Sequence, residues 1–249
     1  MKQLLASVIS NNLVMPDTYL LTVDAPDIAT QARPGQFCMI HCGGGYFLRR
    51  PISIHSISNG MAFLVKVVGR GTACLSQSQP GDRLDIIGPM GNGFSILPES
   101  RKLLLVAGGM GVAPLAFLAR TALLQNLSVT LLVGVKTKEM VYPLHFLPRG
   151  VDLLPVTEDG SEGKKGLVTD FLLKLVAKSD QVFACGPVAM YKTMHRLKVA
   201  KPIQVSLEAW MGCGMGACYG CTTVTRQGPK QVCRDGPVFE MDDILWDKI

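Results

Sequence analysis

Four cysteines near the C-terminal end constrain this chain more than any other feature: Cys213, Cys218, Cys221 and Cys233, spaced C-x4-C-x2-C-x11-C. The surrounding segment, 205–249, is rich in Gly and Cys and poor in periodicity. A piece this short builds little core of its own, so a metal staple is the expected means of ordering it. The C-x4-C-x2-C…C spacing is one that holds a [2Fe–2S] cluster on four thiolates. Gly212, Gly214, Gly216 and Gly220 fit that chemistry. A backbone that wraps inorganic sulfide must come close and adopt positive φ, and its N–H groups can then donate to sulfur and tune the potential. A structural zinc site usually pairs two short knuckles, whereas the fourth cysteine here stands alone. Zinc and unligated buried thiols are the competing readings. Cys38, Cys42, Cys74 and Cys185 lie in strand-like or helix-start contexts and are expected as ordinary core cysteines, with Cys38-x3-Cys42 as a second metal site the lesser alternative.

Clustered cysteines indicate metal or redox chemistry when the compartment is reducing. The N-terminal run MKQLLASVISNNLVMPD has one early Lys and no long apolar core, so no signal peptide is expected and the cytoplasm is the default. The formal charge is +6 without any basic run of five, which gives a nucleic-acid role little support. The stretch from Leu103 to Leu124, charged only at Arg120, has the length of a membrane span. Gly108, Gly109, Gly111 and Pro114 in its middle favour a buried strand, a turn and a helix instead.

With 26 Gly and 15 Pro among 249 residues, tight turns are frequent, and they divide the chain into three styles. Residues 1–98 carry short β-like runs, among them Leu4–Ser10, Tyr19–Val23, Gln36–Cys42, Ile52–Ser56, Met61–Val68 and Arg83–Ile87, punctuated by Pro34-Gly35, Asn59-Gly60 and Pro80-Gly81. Even spacing of short strands predicts a small antiparallel barrel. Residues 99–204 alternate apolar runs (Leu103–Ala107, Val129–Val135, Val151–Val156, Gln181–Ala184, Ile203–Leu207) with helix-like segments (Ala113–Gln125, Thr169–Lys178, Val188–Lys198). That alternation predicts a doubly wound parallel sheet with helices on both faces.

Two turns in the second region fit a nucleotide. Gly108-Gly109-Met110-Gly111-Val112-Ala113-Pro114 follows a strand and opens a helix. Glycines there let a pyrophosphate approach the helix N-terminus; Pro114 occupies the third position of what would otherwise be G-x-G-x-x-G. Cys185-Gly186-Pro187 ends another buried strand and opens another helix. In a parallel sheet both lie on the carboxyl edge of the strands, where ligands bind. An ordinary strand–helix turn is the alternative for each. Lys136-Thr137-Lys138-Glu139 follow the second strand with no acidic residue at its immediate end, so the choice between NAD and NADP stays open.

In the first region, Arg50-Pro51-Ile52-Ser53 begins a strand. Arg50 offers a fork of donors for a diphosphate, and Ser53 a hydroxyl for an aromatic ring system; an ordinary strand edge is the alternative for the Arg-Pro pair. Gly69-Arg70-Gly71-Thr72 precedes a short helix and supplies further N–H groups. No nucleophile stands out, and His41, His55, His145 and His195 lie far apart, as in enzymes whose chemistry resides in cofactors.

In this order, the three constellations resemble the ferredoxin-reductase superfamily over essentially the whole chain. The run Ser206-Leu207-Glu208-x-x-Met211-x-Cys213-Gly214-x-Gly216-x-Cys218-x-x-Cys221, with Val232-Cys233-x-Asp235-Gly236-Pro237-Val238-Phe239 and Gly88-Pro89-x-Gly91-Asn92-Gly93-Phe94, is similar more particularly to the electron-transfer subunits of NAD-dependent (B-type) dihydroorotate dehydrogenase. The resemblance implies three domains: an FAD-binding barrel (1–98), an NAD-binding domain (99–204) and a [2Fe–2S] subdomain (205–249). It implies FAD at Arg50, Pro51, Ile52, Ser53, Val65, Lys66, Val67, Gly71 and Thr72. Some relatives carry an aromatic residue where Val65 stands, so the contact expected there is through backbone. NAD is implied at Gly108, Gly109, Gly111, Pro114, Cys185, Gly186 and Pro187, and the cluster on the four C-terminal cysteines. No catalytic side chain is implied on this chain. An FMN-containing catalytic subunit is implied as partner in a two-plus-two heterotetramer, with electrons passing from its FMN through [2Fe–2S] and FAD to NAD⁺ in pyrimidine biosynthesis. Reductase subunits of ferredoxin:NADP⁺ transhydrogenase or sulfhydrogenase-type complexes are the nearest alternative. Several of those carry Asp at the first cluster position, where this chain has Cys213. A non-enzymatic zinc-binding interaction module is the alternative from another class.

Overall fold

A computed structural model describes residues 1–43 and 45–249. The first unit is a closed antiparallel barrel of β1 (Lys2–Met15), β2 (Thr18–Asp24), β3 (Phe37–Ile40), β4 (Arg50–Ser56), β5 (Met61–Lys66) and β6 (Arg83–Met90), in the order β1-β2-β5-β4-β3-β6. Two short helices, α1 (Pro26–Ala29) and α2 (Arg70–Ser76), pack Ile28 and Leu75 into its core. β1 runs well past the expected Leu4–Ser10. Its first half pairs with β6 and its second with β2, the register shifting between Val8 and Ser10. Such a bulge bends one strand so that it serves two neighbours and closes the barrel. Leu21, Val23, Cys38, Ile40, Ile54, Phe63 and Ile86 fill the interior.

The second unit is a seven-stranded sheet. Its strands are β7 (Lys102–Gly108), β8 (Ser128–Val135), β9 (Asp152–Thr157), β10 (Lys164–Lys165), β11 (Gln181–Cys185), β12 (Ile203–Ser206) and β15 (Val238–Glu240), ordered β10-β9-β8-β7-β11-β12-β15. All neighbours are parallel except β15, which runs antiparallel along β12. β7 shows why the apolar runs are unbroken: Leu103, Leu105 and Ala107 face α3 (Val112–Leu124), while Leu104 and Val106 face α4 (Val168–Val176) and α5 (Val188–Arg196). The expected strand–turn–helix between Leu103 and Leu124 is present, and among the described residues no helix is long and apolar enough to cross a membrane. α3 is apolar nearly all round because it is wedged between two bodies, most of it against the sheet and Phe117 among the barrel residues.

β10 and β15 were not expected, being too short to carry a periodic signal. β12 crosses the expected division at 204/205. Beyond Ser206 the chain leaves the sheet, forms the hairpin of β13 (Thr222–Thr225) and β14 (Gly228–Gln231), and returns at Val238. The segment after the barrel is fixed by two buried glutamines. Gln181 Oε1 accepts from the Leu97 N–H at 2.9 Å, its Nε2 donates to the Ser95 carbonyl at 2.9 Å, and Gln204 Oε1 accepts from the Ser95 N–H at 2.9 Å.

Candidate functional site

The four C-terminal thiols sit in one loop region, and they fall into two pairs. The backbone N–H groups of Met215, Ala217 and Cys218 point at Cys213 Sγ at 3.4, 3.3 and 3.4 Å, and the Cys218 side chain hydrogen-bonds it. Cys233 lies against Cys221, whose sulfur accepts the Cys233 N–H at 3.4 Å, and Cys233 Sγ accepts from the Gly216 N–H at 3.1 Å. Among the described residues no three His, Cys, Asp or Glu side chains close on a point that a single ion could occupy. Burial opposes ionisation at Cys213, but the N–H donors outweigh it and bring the thiol down to about 6. Burial, with Cys221 beside it, pushes Cys233 up to about 12. The loop bends through Gly214 and Gly216 at φ of +73° and +84° and through Tyr219 at +58°. Cys221 and Cys233 are buried, Cys213 partly so, and Cys218 is exposed.

On the barrel, the expected arginine and glycine meet. The Arg50 guanidinium lies directly over Gly71, where an added Cβ would strike its Nε and Cζ. Arg50 also donates to the Leu48 carbonyl at 2.6 Å and stands 6.0 Å from the Tyr46 ring centroid. The adjacent Arg49 is held by Asp85 at 2.5 Å, so of the two arginines Arg50 is the one without a carboxylate partner among the described residues. Thr72 organises the turn before it: its Oγ1 accepts from the N–H groups of Val68 and Gly69 at 2.9 and 3.2 Å and donates to the Gly69 carbonyl. A guanidinium over a helix start is an arrangement that attracts a phosphate. Pro51 and Ser53 pair with Met39 and Phe37 and therefore share their face, outside the barrel toward the sheet. Ile52 points the other way, toward the barrel core, and Val65 is 1% exposed inside it, so that side chain is unavailable to a ligand. Lys66 ends β5 half-buried, and the Val67 N–H is taken by the Asp17 carbonyl at 2.8 Å.

The two turns on the sheet are brought together as expected. Cys185 pairs with Ala107 on the neighbouring strand. A Cβ at Gly111 would collide with the Cys185 carbonyl, one at Gly108 would lie 2.6 Å from Pro187 Cδ, and one at Gly186 would lie 2.7 Å from Met190 Cε. These glycines are thus required for packing of turn on turn. Gly109, at φ +55° with nothing within 4 Å of its Cβ position, faces open space. Pro114 is buried in the first turn of α3. Cys185 is fully buried, which pushes its thiol well up; Ser206 at the end of β12, Glu208 just beyond it and Tyr191 from α5 surround it. The Tyr191 hydroxyl accepts the Gly186 N–H at 2.8 Å and donates to the Ser206 carbonyl at 2.7 Å, fixing this turn. Glu208 keeps solvent access, yet the protein crowding it raises its carboxyl above the ordinary range.

Several side chains at these sites were not expected from the sequence. Tyr46, Tyr191 and Glu208 carry no spacing signal, although Glu208 lies inside a quoted motif. His55 bridges the two bodies: its Nδ1 meets the Ala113 carbonyl at 3.1 Å and its Nε2 the Tyr142 hydroxyl at 2.9 Å. The segments Gly88–Phe94 and Asp235–Phe239 touch each other. The Asn92 N–H donates to the Gly236 carbonyl at 2.6 Å and its Nδ2 to those of Arg234 and Asp235. That contact locks the cysteine loop onto the barrel.

Residues 208–245 match the family model described as the iron-sulfur cluster binding domain of dihydroorotate dehydrogenase B. Over nearly their full lengths, two relatives named "Dihydroorotate dehydrogenase B (NAD(+)), electron transfer subunit" are similar to the chain. The one from Desulforamulus reducens is 38% identical, covering 97% of this chain and 98% of its own. The one from Caldanaerobacter subterraneus subsp. tengcongensis is 40% identical with the same coverages. Among solved structures, one of an NADH-dependent reduced ferredoxin-NADP oxidoreductase, studied for flavin-based electron bifurcation, superposes with a TM-score of 0.86 at 32% identity, covering 98% of this chain and 91% of that one. The ferredoxin reductase of carbazole 1,9a-dioxygenase shares the fold, with a TM-score of 0.72 at 22% identity over 82% of this chain and 68% of its own.

Proposed function

The chain belongs to the family of electron transfer subunits of NAD(+)-dependent dihydroorotate dehydrogenase B, and from that membership we propose which residues serve each step. It is an oxidoreductase subunit that works beside a catalytic partner. The partner we propose is an FMN-containing dihydroorotate dehydrogenase subunit, two copies of each forming a heterotetramer, in the cytoplasm. The three functional units are 1–98, 99–204 and 205–249, with β15 lent by the third to the sheet of the second.

Arg50, Gly71 and Thr72 hold the diphosphate of FAD, and Ser53 on the same strand meets its ring. The observation that carries this is the Arg50 guanidinium lying across Gly71. Gly108, Gly109, Gly111, Pro114, Cys185, Gly186 and Pro187 form the NAD edge, Gly109 being the open position. Cys213 with Cys218, and Cys221 with Cys233, hold a [2Fe–2S] cluster; two thiol pairs suit two irons, whereas one tetrahedral zinc would draw all four to a point. Cys213 in place of an aspartate favours this family over the transhydrogenase-type reductases. When bound, these groups supply the redox chemistry by which electrons of dihydroorotate, one at a time through the cluster, leave as hydride on NAD⁺.

The chain's own residues position and shield. The N–H groups at Cys213 and Cys233 stabilise thiolate, so cluster assembly releases protons against little resistance at Cys213 and more at Cys233. Buried Tyr191 and Ser206 keep the Cys185 turn rigid at the carboxyl edge of the sheet. The exposed side of the loop carries Cys218, Tyr219, Met215 and Trp210, the last 95% exposed. An aromatic left so bare beside a cluster suits burial by the partner subunit.

The test is reconstitution of the full chain with iron, sulfide and FAD, then titration with NADH. One FAD and one two-iron cluster per chain, both bleached by NADH, are expected. With the FMN subunit added, dihydroorotate should reduce NAD⁺. A colourless zinc-loaded chain that binds no flavin would overturn the assignment.

A further inference from the structure

We infer that Met39 is the positioning residue that sets the spacing, and fills the gap, between the cysteine loop and the flavin strand. This rests on the cofactor assignment above and extends it to a residue on neither site. Met39 lies in β3, 1% exposed. On one side it pairs with Pro51, the second residue of the Arg50–Ser53 strand, so both side chains leave the same face of the barrel. On the other it packs under the cysteine loop. A Cβ at Gly214 would lie 2.6 Å from Met39 Cγ, 2.9 Å from Sδ and 3.3 Å from Cε. Gly214 follows ligand Cys213 directly and takes φ +73°, so the loop descends onto the methionine where only glycine fits. Met39 also shares its core with Cys221, Cys233, Val232 and Met211.

One side chain therefore touches the loop that carries the thiols and stands in register with the strand proposed to carry the flavin. Electron tunnelling weakens steeply with separation and weakens more across empty space than through packed atoms. Thioether side chains fill irregular gaps without strain, and interiors leave no slack to replace a lost one. No bond of Met39 changes. With both groups bound, each passage across Met39 would carry one electron between cluster and flavin. Two passages and one proton taken from solvent complete the hydride that NAD⁺ removes.

The experiment uses the full chain loaded with FAD and cluster, comparing wild type, M39A and M39L. Rapid mixing with NADH separates flavin bleaching from cluster reduction, the second followed by freeze-quench EPR. For M39A, flavin bleaching should keep its wild-type rate while cluster reduction slows about tenfold, the cost of a void in a packed path. M39L conserves volume and should restore cluster reduction to near the wild-type rate. Amide exchange in the holoprotein gives a readout apart from turnover: Gly214 and Gly216 should exchange faster in M39A than in M39L. Should M39A fail to hold its cofactors, M39V carries the same expectations at smaller amplitude. Equal cluster-reduction rates in wild type and M39A, or equal slowing of both phases, would overturn the inference. A wild-type chain that loads no FAD or no cluster would instead defeat the functional reading beneath it.

Discussion

At the scale of single residues, the glycines divide by what crowds them. Gly111 has no room for a Cβ because the Cys185 carbonyl occupies the space, whereas Gly109 has no neighbour at all. The first is required by packing and the second is the open position proposed for the nucleotide, although both stood in the same motif. Gly111→Ala is therefore expected to force the β7 and β11 turns apart, at about 1–3 kcal/mol as for other overpacked sites. Its melting temperature should fall and its KM for NADH rise while bound FAD stays at wild-type content. A variant with unchanged stability would show that the turns are not in contact. This distinction was not legible in the sequence, because the crowding atom comes from a strand more than 70 positions away. What was legible is local chemistry: the thiol spacing, the glycines between the thiols, and Arg50 beside a proline.

At the scale of elements, α3 and β4 show how barrel and sheet are joined. α3 sends Phe117 into the barrel core and its Ala113 carbonyl to His55 of β4. His55 is buried, and burial foremost lowers its pKa to about 4; the Ala113 hydrogen bond opposes the shift, and the charge of Arg120 adds to it. A histidine whose folded pKa lies below its unfolded value of about 6.5 binds more protons when unfolded. Its contribution is complete above pH 6.5 and is lost as pH falls from there toward 4, by up to about 3 kcal/mol. Urea midpoints measured from pH 7 to 4.5 should fall less steeply for His55→Leu than for wild type. Parallel pH profiles would mean that His55 is not buried neutral at this joint. The sequence displayed His55 only as one of four scattered histidines, since its partners Ala113 and Tyr142 lie on other elements. The strands and helices themselves were plain from apolar runs and turns, and most of their ends differ by a residue or two; β1 and β6 run further, to Met15 and Met90. β10 and β15 were not plain, because pairing by a neighbour, and not any pattern of their own, makes them strands.

At the scale of the whole molecule, the barrel, the sheet and the cysteine loop are held by few polar contacts. The glutamines 181 and 204 fix the linker, and Asn92 fixes the loop. The order of motifs along the chain foretold the three units, but not that the Gly88–Phe94 and Asp235–Phe239 segments touch. The exposed apolar side of the loop belongs to this scale also, as the face proposed to meet the catalytic subunit. Trp210→Ala is expected to weaken association with the catalytic subunit by about 2 kcal/mol, roughly thirtyfold in Kd. NADH-driven flavin bleaching in the free chain should not change. Binding measured by titration of labelled subunits decides the matter, and an unaltered Kd would place the interface elsewhere.

Ser206 and Val238 lie side by side in register, so everything between them begins and ends at one spot on the sheet edge. The iron-binding stretch is in that sense a cassette hung from two adjacent anchor points. Stripping the iron with a chelator should loosen exchange at 212–220 and leave the amides of β7 and β11 protected. Joint opening of both regions would show that the anchors depend on the cassette. If they do not, the same stretch can be grafted onto the rim of another parallel sheet wherever two edge strands stand in that register, carrying its redox centre with it as a portable part.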